Sequence, residues 1–337
     1  MRTVLKAFTL CISMALSVAA MAQNDVILDN AIANPVQEYS ALAMVGKKLL
    51  LVPQYPLDNN TYTVKACLDA KKAAGKKTLK QRNFTTVTIT HLSPVLSAIN
   101  SKGKIYQGFE AANAVGNTIF FSIETDESAD SCYLIKGYLH KDTIALDARF
   151  IQGIAKVKCD GNIVDNAGFE SLTYHPASGK LLAVFEFTNV ANVQKTPVAF
   201  LVDTSLQNNT IQPVYIQEPV PFRITDVYTA ADGNMYAINF WWAGEYNDYF
   251  ACNKNTPLPV ADSSAFTNVK NKGNCYGRIL QMQLSNHTLS WTPVKEIGYD
   301  GYNWEGIVLY KNKFIIISDA NKGKYQEKTT HMRVLKK

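Results

Sequence analysis

The chain has 337 residues, with 34 Lys and Arg against 28 Asp and Glu and a formal net charge of +6. So mild a positive balance does not call for a nucleic-acid partner. The length exceeds one ordinary hydrophobic core, but no Pro/Gly/Ser linker or charge block divides it, and all-β barrels and propellers run this long as one domain.

In chain order, residues 1–22 read as a signal peptide. Arg2 and Lys6 form a short basic start, 7–20 are apolar but too few to span a bilayer, and Ala20-Met21-Ala22 is a small-x-small cleavage pattern. Cys11 lacks the small residues expected before a lipid-modified cysteine. The mature protein is therefore expected to span 23–337, unanchored and without a transmembrane segment, in the periplasm or secreted. Five hairpins follow, at 40–54, 110–124, 170–186, 226–239 and 305–319. Each sets a polar residue before an apolar run, a tight turn such as Gly46-Lys47 or Gly116-Asn117, a second apolar run and another polar residue. Runs rich in branched and aromatic residues, such as 49–52, 119–121 and 314–317, favour strands over helices.

Further strand-like runs follow the hairpins, at 132–140 and 143–150, 197–203 and 211–217, and 276–284 and 290–297. Four antiparallel strands per unit is the propeller blade. After the fifth hairpin only 331–336 remains, and the N-terminal run 25–29 supplies the missing outer strand, closing the ring. The fold predicted is all-β, a single β-propeller with five blades, or six if one is degenerate.

Strand direction then places the functional surface. Glu110, Glu170, Asp226 and Glu305 begin inner strands and Ser40 begins the remaining one, so all should meet at one mouth of the central channel. Gln54, Glu124, Glu186, Asn239 and Asp319 end the second strands on the same rim. Clustered carboxylates must bind a cation, raise their pKa values or pair with a base. Calcium, which takes six to eight oxygens, is the cation such a ring suits, with Glu110, Glu170, Asp226 and Glu305 as ligands. Glu124, Glu186 and Asp319 are the candidate catalytic carboxylates. Ser40, Arg223 and Asn239 are candidate substrate contacts, Arg223 being equally placed to pair with a neighbouring acid.

An insertion at 241–274 should emerge beside Asn239. It carries Trp241, Trp242, Tyr246, Tyr249 and Phe250, either a lid that stacks on substrate or a loop packed on its blade. Cys252 with Cys275, and Cys132 with Cys159, are the suggested disulfides, leaving Cys67. The basic stretch 71–82 falls on the opposite face as a solvated loop, with a weak contact to an anionic envelope surface as the alternative. His91, His140, His175, His287 and His331 share no register, which argues against zinc.

Tyr39-Ser40-Ala41-Leu42, Gly108-Phe109-Glu110-Ala111, Gly168-Phe169-Glu170-Ser171 and Trp304-Glu305-Gly306-Ile307 with Ser318-Asp319 resemble the phytase-like propeller family, described as having esterase-like activity, and the exported propellers of the SdiA-regulated type. More distantly, Glu305-Gly306 with Asp319 looks like the calcium-binding blades of gluconolactonases and paraoxonases. The resemblance implies a calcium-dependent hydrolase of an ester, lactone or phosphoester. The alternative is a propeller that binds a glycan, peptide or protein around a structural ion without catalysis.

Overall fold

The computed structural model describes residues 25–55, 63–100, 106–159, 162–163, 167–188, 196–207, 210–242, 267, 275–320 and 329–337. The expected leader, 1–22, lies outside them. Strand β1 (Asp25–Leu28) opens the described chain and is followed by β2 (Tyr39–Val45), β3 (Lys48–Pro53), β4 (Thr63–Asp69), the short β5 (Thr78–Leu79) and β6 (Thr85–Thr90). A second unit holds β7 (Tyr106–Val115), β8 (Thr118–Thr125), β9 (Ser131–His140) and β10 (Thr143–Ala155). After a small ladder of β11 (Lys158–Cys159) and β12 (Asn162–Ile163) comes the third, β13 (Ser171–His175), β14 (Lys180–Val184), β15 (Ala199–Asp203) and β16 (Ile211–Ile216). The fourth is β17 (Arg223–Thr229), β18 (Met235–Trp241), β19 (Tyr276–Ser285) and β20 (Thr288–Gly298). The last is β21 (Asn303–Tyr310), β22 (Lys313–Asp319) and β23 (Met332–Lys336).

Each unit is an antiparallel meander, and β1 pairs with β23 through Asp25↔Arg333 to complete the last one, as the sequence predicts. Arg333 fixes that closure, its Nε donating to Asp25 Oδ1 at 2.5 Å and its Nη1 to Asp300 Oδ2 at 2.5 Å. The first strands of the units pack in a cycle, β2 on β7, β7 on β13, β13 on β17, β17 on β21 and β21 on β2. This is a β-propeller. Edges that would otherwise be open are paired, because β6 runs parallel to β10, β16 to β20, and β5 to β1.

The second strands read as continuous apolar runs because both faces are covered. Leu50 and Val52 enter the core shared with the second unit, while Leu49 and Leu51 enter the core shared with the last. In β14, Leu181 and Ala183 face the second unit while Leu182 and Val184 face the fourth. Gly306 lets the ring close, since a Cβ there would stand 2.7 Å from Leu42 Cβ and 2.8 Å from Ile317 Cγ2.

Two expectations change. The basic stretch 71–82 is structured: helix α1 (Ala70–Gly75), capped by Asp69 Oδ1 at 2.8 Å from the Lys71 amide, packs Ala70 and Ala73 into the core and is followed by β5. A second helix, α2 (Leu92–Asn100), covers the first two units through Leu92, Val95 and Ile99. Cys132 is a free buried thiol, pushed up to about 12 chiefly by desolvation, so the Cys132–Cys159 bridge does not form. Its strand position points it into the apolar core with Phe169 and Ile154. Cys252 lies outside the described residues. Among the described residues, no helix is long and apolar enough to cross a membrane.

Candidate functional site at the channel mouth

Four of the five inner strands carry a bulge near their start, an extra residue that pairing skips. The bulge falls at Ser40 in β2, Glu110 in β7, Thr225 in β17 and Glu305 in β21. Glu170 immediately precedes the paired Ser171↔Val184 at the same place in the third unit. The registers are tied between units by hydroxyls donating to the carbonyl just before the next bulge. Ser40 Oγ reaches Phe109 O at 2.5 Å, Ser122 Oγ reaches Phe169 O at 2.8 Å, and Thr225 Oγ1 reaches Trp304 O at 2.6 Å.

The acid set therefore needs correcting in the fourth unit. Thr225, and not Asp226, matches Glu110, Glu170 and Glu305, and a one-residue slip turns a strand side chain to the other face. Asp226 points between units, its Oδ1 accepting from the Val227 amide at 2.8 Å and its Oδ2 from the Ile307 amide at 2.7 Å. Burial pushes its pKa well above the usual carboxylate range, and no other charge contributes. The second strands slip likewise. Glu124 lies opposite Gly108 and Asp319 opposite Asn303, but the residue opposite Arg223 is Phe240, so Asn239 is out of register. Its side chain is saturated inside the blade, donating to Pro221 O and Arg223 O and accepting from Arg278 Nε at 2.8 Å. It offers nothing to a substrate.

Glu110, Glu124, Glu170, Glu186, Glu305 and Asp319 do come together, all buried. Their interactions divide the cluster. On one side Gln54 Nε2 donates to Glu110 Oε1 at 2.6 Å, and the Glu110 carboxyl hydrogen-bonds to Glu124. Desolvation and then the Glu186 charge push Glu124 up to about 7, against the pull of Lys156. Desolvation and then Glu124 drive Glu110 well above its ordinary range. On the other side Arg223 donates from Nη2 to Glu170 Oε1 and from Nε to Glu186 Oε2 at 2.5 Å, while the Gly168 amide donates to Glu186 Oε1 at 2.8 Å. Glu170 Oε2 is buried and has no hydrogen-bond partner among the described residues. Burial raises Glu170 and Glu305, with Arg223 opposing in both.

Two residues before Ser40, Glu110, Glu170, Thr225 and Glu305 lies a further position, at which the sequence reading singles out Arg223 alone as a site residue. It is Glu38, Gly108, Gly168, Arg223 and Asn303 around the ring. At Gly108 a Cβ would lie 2.6 Å from Gln54 Cγ, and at Gly168 it would lie 3.3 Å from Glu124 Oε1, so these glycines make room for the preceding unit's polar residue. The other three place Glu38, Arg223 and Asn303 at the mouth. Tyr55 joins them, its hydroxyl raised by burial and by Glu110, Glu38, Glu124 and Asp319. Lys156 closes the far side, donating to Thr125 O at 2.5 Å and Asp126 O at 3.0 Å.

Ser40 is occupied in tying its strand to Phe109. Trp241 is wholly buried, packed on Phe222 at 4.5 Å and Tyr276 at 5.2 Å, with its indole N–H on Asn239 Oδ1. It therefore has no face for a substrate. Trp242 is half-buried beside the core, and Tyr246, Tyr249 and Phe250 lie outside the described residues.

The donors are hard oxygens of the kind calcium takes, but the Arg223 guanidinium already supplies the countercharge between Glu170 and Glu186. Asp226, moreover, is turned away. Among the described residues no three His, Cys, Asp or Glu side chains are disposed to hold a metal ion. As the side chains stand, the mouth does not fit calcium.

The fold and the mouth define an all-β propeller with a carboxyl-rich channel entrance. No family model and no curated protein matches the chain. Similar solved structures include the GH43_1 enzyme from Xanthomonas citri, 10% identical, with 94% of this chain and 93% of that chain covered at a TM-score of 0.46. RS223-beta-xylosidase is 9% identical over 90% of this chain and 93% of that chain, with a TM-score of 0.44. A GDP-Man-dependent mannosyltransferase from Leishmania mexicana is 8% identical over 93% and 89%, with a TM-score of 0.40. At these scores the likeness assigns no function.

Proposed function

We propose that this is an exported propeller hydrolase that cleaves a glycosidic bond of an uncharged glycan with two carboxyl groups and no metal. The observation that carries the reading is the division of one carboxyl cluster into a proton-sharing half and a guanidinium-held half. Glu124, half-protonated near neutrality, is the general acid for the leaving oxygen. Glu170, raised by burial but with one oxygen held by the Arg223 guanidinium, which opposes that rise, and the other buried without a partner among the described residues, is in its ionised form the carboxylate that takes the proton of the attacking water or stabilises the sugar cation. Glu186 is wholly buried and positions Arg223.

Electrostatics separate this chemistry from the ester, lactone and phosphoester that the family resemblance implies. Ester and lactone hydrolysis develop an oxyanion, which neighbouring carboxylates repel, and a phosphoester arrives already anionic. Glycoside cleavage develops positive charge on the sugar, which the same carboxylates stabilise. The mutual satisfaction of Glu186, Arg223 and Gly168 favours a second reading, a glycan-binding propeller without turnover.

The test is a panel of aryl glycosides and oligosaccharides assayed with chelator present, for the wild type, Glu124→Gln and Glu170→Gln. The expected result is chelator-resistant cleavage of at least one glycoside, reduced about 10²- to 10⁴-fold in each variant. Saturable binding of an oligosaccharide with no cleavage would establish the second reading. Cleavage of esters alone, or activity that calcium restores after chelation, would overturn the proposal.

A further inference from the structure

The other face of the ring carries the opposite charge. At the far end of β21 from Glu305, a cavity of about 480 Å³ is lined by Lys71, Tyr310, Lys311, Lys313 and Lys336, with the C-terminal end of α1 as one wall. Among the described residues no carboxylate lines it. Its lysines come from three separate elements: α1, the β21–β22 turn with the following strand, and β23.

The repeat supplies an internal control. In the first unit the opening residue of the second strand, Lys48, lies directly opposite Asp69 on the third strand. At the same position of the third unit, Lys180 lies opposite Asp203. In the last unit Lys313 lies opposite Lys336. Like charges directly opposite on neighbouring strands are destabilising, so the ladder position that pairs lysine with aspartate in the first and third units carries a like-charged pair in the last, while the second and fourth units place Thr118 opposite Tyr138 and Met235 opposite Met282 there. Lys313 Nζ donates to Ala74 O at 2.8 Å, which holds it against the cavity wall, and Lys311 sits in the left-handed region at φ 55° beside the Tyr310 ring. Asp232 of the fourth unit stands 3.9 Å from Lys337 and does not line the cavity.

We infer that this cavity is an anion site that takes a phosphate group, either free or carried on a small sugar. The lysines that line the cavity would supply point charges to an oxyanion, and Tyr310 would offer a flat apolar wall to whatever carries it. The site is independent of the carboxyl mouth and of the reaction proposed there.

The experiment is titration calorimetry and thermal unfolding of the full mature chain at fixed ionic strength, with inorganic phosphate and glucose 6-phosphate as probes and chloride as control. Phosphate should raise the wild-type melting temperature where chloride does not, and glucose 6-phosphate binding more tightly than phosphate would assign the sugar-borne form. Lys336→Asp restores the pairing of the first and third units. It should melt higher than the wild type without ligand and bind phosphate at least about tenfold more weakly. Lys336→Gln, which adds no new charge, should also weaken binding. Equal phosphate binding by all three proteins would overturn the inference. So would a wild type that ignores both probes yet binds vesicles of equal parts phosphatidylcholine and phosphatidylglycerol, a result that would make the patch a membrane contact.

Discussion

Arg223 holds the channel mouth together, and its removal is the sharpest single-residue change. It is the shared partner of Glu170 and Glu186, both buried, so Arg223→Met leaves them without countercharge. The expected loss is about 3–5 kcal/mol in urea unfolding at neutral pH. Arg223→Lys recovers only part of it, because an ammonium cannot present the same fork to two carboxylates. Glu124 sets the pH dependence of the proposed activity. With its pKa near 7, kcat/KM should fall about tenfold per pH unit well above neutrality as the acid form is lost, and Glu124→Gln should abolish that limb.

At the scale of strands, the governing feature is the bulge. Because Thr225 takes the bulge in β17, Asp226 becomes a clasp between the fourth and last units. Asp226→Ala strands two buried amides and should cost about 2–4 kcal/mol, while leaving the titration of the mouth carboxyls unchanged, a combination readable by unfolding and NMR together. Gly306→Ala should also destabilise, by about 1–3 kcal/mol, since Leu42 and Ile317 leave no room for a methyl group. The hairpin repeat made the propeller, the closing role of β1 and the matching positions of Glu110, Glu170 and Glu305 legible, because apolar runs and strand polarity are written residue by residue. The slip in the fourth unit was not legible: Thr225-Asp226 reads as one polar pair, and only pairing register tells which residue faces the channel. Arg223 was noticed without its register, and Glu38 was passed over, because their position two residues before the bulge is empty in the two units where it is glycine. Of the aromatics at the start of the 241–274 insertion, Trp241 follows the second of the two readings, packing onto its own unit. Trp241 has the alternation of a strand residue, and that puts it in the core.

At the scale of the whole ring, several carboxyls are held protonated above their ordinary range, and the sign of the consequence follows from linkage. Glu124 rises from 4.5 to about 7, so between those values the folded protein binds more protons than the unfolded chain. This contribution is fully present below about pH 4.5 and is lost as pH rises through 7. Glu110, Glu170, Glu305 and Asp226 act in the same direction. His331, lowered from 6.5 by burial, opposes them in mild acid, and Asp147, Asp203 and Asp232 lose their favourable contacts only when protonated at lower pH. Stability should therefore peak near pH 5 and decline toward pH 8 in thermal unfolding. The most direct measurement is carbon-13 NMR titration of the glutamate side-chain carboxyls in the wild type and in Glu124→Gln. A resonance with a midpoint near pH 7 that disappears in the variant is the predicted result, and glutamates that all titrate between about pH 4 and 5 would contradict a proton-holding channel mouth.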